Sequence, residues 1–168
     1  TQSSEDVRAF LHALGEDVFR KVDFVEDAYL PGENRVLLPQ LEVPLAVDRG
    51  VELEEGAYDV VVVKPAVNEA KDLLIKARAL GRRVVFTSYM DHPVGQSFAA
   101  YEAARAYGDY SEWIDVCGLV THGLFEADPE LDEFLKCMGT PKPEFPVPQG
   151  TGLGFDAVLV NLLWEKLI

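Results

Sequence analysis

Three short apolar runs recur along the chain, and each stops on a polar side chain. VPLAVD (43–48) ends on Asp48, DVVVVK (59–64) on Lys64, and RVVFTS (83–88) on Thr87 and Ser88. Continuous apolar runs of this length suit parallel strands covered on both faces. Between the second and third runs lies VNEAKDLLIKARALG (67–81). Its Ala70, Leu73, Leu74, Ala77 and Leu80 fall at helical spacing, and Gly81 sits past the end as a C-terminal cap. GQSFAAYEAARAY (95–107) predicts a second helix, and DVCGLVTH (115–122) a further strand. Nearer the start, KVDFVED (21–27) reads as a strand with Val22, Phe24 and Glu26 on one face and Asp23, Val25 and Asp27 on the other. Before it, Ser3 or Ser4 with Glu5 and Asp6 marks a helix start. Val7, Phe10, Leu11 and Leu14 form that helix's apolar stripe, and Gly15 ends it.

The segments between these elements are loop-like, with one short helix expected near 33–38. The last apolar stretch, FDAVLVNLLWEKLI, carries no clear period. Strands alternating with helices give a doubly wound sheet or a (β/α)-barrel. No GxGxxG or P-loop lysine follows any strand, and GTGLG (150–154) resembles a phosphate loop only in composition.

Composition narrows the class. Acidic residues outnumber basic ones 29 to 15 in 168 residues, for a formal charge of −14. That argues against nonspecific binding to nucleic acid or to an anionic membrane surface. No apolar run reaches the ~20 residues that span a bilayer. Two cysteines, Cys117 and Cys137, read as thiols of a cytoplasmic protein rather than as a disulfide framework. The first residue is Thr1, not Met, which suggests the middle of a longer chain.

The strand ends hold the candidate chemistry. Glu26, Asp48, Lys64, and Thr87 with Ser88 close four successive predicted strands. In a (β/α)-barrel such residues converge on one mouth, where active sites lie. Two carboxylates and a lysine on neighbouring strands suit a hard divalent cation beside an ammonium. Each residue also has a plain reading. A strand-end carboxylate often caps the next helix, Asp48 can open a turn, and a terminal lysine can reach into solvent. The coincidence on successive strands is what favours a site.

The order FVED, LAVD, VVKP, TSYMDHPVG (87–95) and GLVT (118–121), with a late GLG, resembles the C-terminal part of the enolase superfamily, of the mandelate racemase/muconate lactonizing enzyme type. Within it the likeness is greatest to the o-succinylbenzoate synthases. The resemblance covers nearly the whole chain and rests on order and spacing rather than on any one motif.

The resemblance implies a (β/α)7β barrel with a separate capping domain. Residues 1–149 would supply roughly its fourth to eighth strands, and 150–168 a segment returning towards the cap. It also implies Mg²⁺, with Mn²⁺ as a substitute, held by three acids on successive strands. Glu26 and Asp48 match the second and third of these. The first acid, and the KxK lysine pair that takes the proton α to a substrate carboxylate, have no counterpart in the sequence. Lys64 would stabilise the anionic enediolate from the opposite side, or serve as the second acid/base in a racemase. Thr87 or Ser88 would hydrogen-bond a carboxylate. Asp91 would orient Lys64 or its loop, Gly95 would admit close backbone approach, and Gly118 and Leu119 would shape the pocket wall or pack beneath it. His92 stands where a small residue is expected, and His12 and His122 are weaker candidates.

The implied function of the complete protein is a dehydratase of menaquinone biosynthesis acting on a small carboxylate, with N-acylamino acid racemisation as the alternative. The rivals are a non-catalytic half-barrel that pairs with its missing N-terminal part, and a flavodoxin-like binding module. A half-barrel alone should leave strand edges and an exposed interior face.

Overall fold

In a computed structural model the structure describes residues 4–28, 43–48, 58–89 and 93–119, together with Gly152, Asp156 and Val160. The expected short helix near 33–38, Asp91, His92, His122, Cys137 and most of the segment from 150 lie outside the described residues. Four strands form one parallel sheet in sequence order: β1 (Val25–Glu26), β2 (Leu45–Asp48), β3 (Val60–Val63) and β4 (Arg83–Phe86). The helices are α1 (Ser4–Ala13), α2 (Glu16–Phe19), α3 (Ala70–Ala79) and α4 (Pro93–Tyr110).

The period of two along each strand splits the core into two layers. Leu45, Val47, Val61, Val63, Val84 and Phe86 point to one side, where they pack with Val7 and Leu11 of α1, Leu74 and Ala77 of α3, and Ala103 of α4. Ala46, Val60, Val62 and Val85 point to the other side with Phe24. This second, inner face is not open as expected for an isolated half-barrel: its four core residues are at most 3% exposed. Valines covered on both sides explain why β3 is a continuous apolar run rather than an alternating one.

Several element boundaries shift for local reasons. α1 stops at Ala13, and Gly15, with φ +76°, redirects the chain into α2, which the sequence pattern does not announce. Turn bonds from Lys21 N–H to Val18 and from Val22 N–H to Phe19 then occupy residues expected to be strand. β1 is thereby reduced to Val25–Glu26.

α3 begins three residues later than the pattern predicts, because Lys64 is followed by a turn. The Lys64 carbonyl accepts from the N–H groups of Val67 and Asn68, each at 2.9 Å, and the Asn68 side chain accepts the Lys64 N–H at 2.8 Å. Pro65, with its fixed φ, stands at the second position of this turn. At the other end of α3, Gly81 (φ +68°) and Arg82 donate to the carbonyls of Arg78 and Ala77, closing a Schellman cap.

Of the strand expected at 115–122, residues 115–119 are described, and they run beside β4 through isolated bridges with one extra residue. Asp115 N–H bonds to Val84 and Gly118 N–H to Phe86, so three steps on one side match two on the other. The surplus is a β-bulge that leaves Val116 87% exposed.

Candidate active site

Strand parity selects which polar residues meet. Glu26, Asp48, Lys64 and Thr87 share the inner-face parity of Phe24, Ala46, Val62 and Val85, and each continues that face past the end of its apolar run. The register staggers them. Glu26 pairs with Ala46, two residues before Asp48, and Asp48 pairs with Val62, two residues before Lys64. The functional positions therefore climb diagonally across β1, β2 and β3, as strand stagger in a barrel requires.

The long lysine stem spans that diagonal. Lys64 Nζ lies 2.5 Å from Asp48 Oδ2 and 3.4 Å from Glu26 Oε1. The Lys64 and Asp48 side chains are only 16% and 9% exposed, so this lysine does not reach out to solvent. Burial works to lower its pKa, but the hydrogen bond it donates to Asp48 and the charges of Glu26 and Asp48 together outweigh it and raise the pKa. Lys64 is thus held as an ammonium.

A third carboxylate joins the cluster. Asp27 follows the end of β1 with φ +47°, a left-handed conformation that breaks strand alternation. Simple alternation puts Asp27 on the helix-covered side with Val25. The left-handed turn instead brings its Oδ1 within 3.2 Å of the Asp48 N–H, which it accepts. One carboxylate oxygen from each of Glu26, Asp27 and Asp48 lies within 4.8 Å of the other two. Burial, with the charge of Asp27 second, also raises the pKa of the Tyr58 hydroxyl.

Thr87 and Ser88 diverge. The Thr87 hydroxyl is buried with no hydrogen-bond partner among the described residues. Gly118 lies against this side chain, and a Cβ there would come within 3.3 Å of Thr87 Cγ2, so glycine lets the bulged segment approach. Ser88 is buried, and its N–H donates to the Gly118 carbonyl. Leu119 packs against the helix-covered core, and Gly95 lies in the first turn of α4. Burial, opposed by a Phe86 backbone hydrogen bond and aided by the Asp115 charge, pushes the Cys117 thiol up.

The sequence of o-succinylbenzoate synthase from Bdellovibrio bacteriovorus is 32% identical over 115 residues, which are 68% of this chain and 34% of that protein. The likeness to the enolase superfamily holds. A crystal structure of a mandelate racemase/muconate lactonizing protein from Herpetosiphon aurantiacus superposes with a TM-score of 0.59, over 76% of this chain and 38% of that one. At 20% identity that match establishes the fold, a parallel α/β sheet corresponding to part of a barrel. The chain spans about a third of the length of each of these enolase-superfamily relatives. No protein-family model matches it.

Proposed function

We propose that these residues form the metal-and-lysine side of a Mg²⁺-dependent dehydratase of the o-succinylbenzoate synthase type, a carbon–oxygen lyase of cytoplasmic menaquinone biosynthesis. One observation carries the reading: a largely covered ammonium, Lys64, pairs with Glu26 and Asp48, and Asp27 lies beside these two acids, where three parallel strands end. The donor set fits the ion. Three carboxylates with oxygens this close are hard donors of the kind Mg²⁺ and Mn²⁺ select. Glu26 and Asp48 would hold the ion, and Asp27 adds a third oxygen. Bound there, it supplies Lewis-acid polarisation of a substrate carboxylate, which acidifies the α proton.

The remaining work falls to side chains. Lys64 presents a positive charge to the anion that forms on proton loss. The Thr87 hydroxyl, which has no hydrogen-bond partner among the described residues, is the candidate donor to a substrate carboxylate, and Gly118 lets the bulged segment pack against its methyl group. No KxK pair occurs in these 168 residues, so in this reading the base that removes the proton comes from another part of the protein. Paired assays of the intact protein with Mg²⁺ test the reading. Formation of o-succinylbenzoate should exceed racemisation of N-acylamino acids. A racemase-dominated profile would move the assignment to that sister reaction, and absence of both activities would reject it.

A further inference from the structure

We infer that Lys64 is a tethered counter-ion of the carboxylate cluster, and that divalent-cation binding displaces it and so releases it towards the substrate. The inference rests on the metal-site reading. Three carboxylates whose oxygens lie within 4.8 Å repel one another unless a cation sits among them. Here that cation is the Lys64 ammonium, 2.5 Å from Asp48 Oδ2 and 3.4 Å from Glu26 Oε1. A magnesium ion demands carboxylate oxygens at about 2.0–2.1 Å in near-ideal octahedral geometry. It would claim the Asp48 and Glu26 oxygens that the ammonium now holds, and a monovalent and a divalent charge on the same oxygens repel.

The lysine can yield where the carboxylates cannot. Asp48 ends a strand paired on both sides, and Asp27 is fixed by its bond to the Asp48 N–H. The Lys64 backbone is locked by the Asn68 turn, but its four-carbon stem keeps rotatable bonds. Displacement therefore swings the ammonium about a fixed Cα. It leaves the acids and remains at the mouth, next to Thr87, which follows β4 as Lys64 follows β3. Cation loading and the availability of Lys64 to substrate become one event.

Calorimetric titration of Mn²⁺ into the intact wild-type protein and into Lys64→Met tests this without an activity readout. Removal of the competing charge should tighten binding by about tenfold or more. Equal or weaker binding in the variant, with wild-type binding intact, overturns the inference and leaves the metal site standing. No binding to either protein overturns the metal reading and the inference with it. Wild-type protein gives a second measurement that needs no variant. Acetylation of the Lys64 amine by acetic anhydride, followed by mass spectrometry, should accelerate when Mg²⁺ is added, and an unchanged or slower rate contradicts displacement.

Discussion

The two faces of the sheet are cut from the same four strands and do different work. On the helix-covered face, Leu45, Val47, Val61, Val63, Val84 and Phe86 meet side chains from α1, α3 and α4 in one continuous cluster. On the inner face, Ala46, Val60, Val62 and Val85 form a smaller apolar floor, and the same rows then run into Glu26, Asp48, Lys64 and Thr87. Apolar residues of the first face meet water-excluding partners along their whole length. The second face spends its strand ends on charge. Charges removed from most of their water are costly unless paired, and the partly buried Lys64 and Asp48 pair with one another. The rigid valine floor holds them in register.

Substitutions on each face should therefore part activity from stability. Lys64→Ala in the complete enzyme should lower kcat by about 10²–10⁴-fold while the far-ultraviolet circular dichroism stays native. Near-normal kcat would erase the distinction between the faces. Leu74→Ala removes a side chain 4% exposed in the helix-covered core. It should cost about 2–5 kcal/mol in urea denaturation and leave kcat per folded molecule unchanged. Gly81→Ala touches neither face. At φ +68° with open space around it, the added methyl meets backbone strain alone, about 1 kcal/mol.

The smallest effect concerns pH. The Lys64 pKa in the folded protein is raised above the ordinary 10.5. Its contribution to stability is then fully present below that value and lost as pH rises through the folded value. The alkaline limb of a stability profile should flatten in Lys64→Met. An unaltered limb would show that the ion pairs do not contribute there.

Much of the layout was legible in the sequence because burial on both faces writes itself as continuous valine. VPLAVD, DVVVVK and RVVFTS located β2, β3 and β4, and their shared parity brought Asp48, Lys64 and Thr87 to one side. Three features were not legible. A turn after Phe19 shortened β1, because local i→i+3 bonds compete with strand formation where no long apolar run forces the issue. Asp27 joined the cluster only through a left-handed φ, which alternation rules do not foresee, although Asp is among the residues that tolerate it. A single surplus residue bulged the segment beside β4, and nothing in DVCGLVTH marks where it goes.

The central claim is that the strand-end carboxylates hold a divalent cation, and one titration addresses it most directly. Mn²⁺ binding to the intact protein should be measured by calorimetry for wild type and for Glu26→Gln, which keeps size and removes a charge. The account predicts measurable wild-type binding and at least about tenfold weaker binding in the variant. Equal affinity in the two proteins would remove Glu26 from the site and contradict the account.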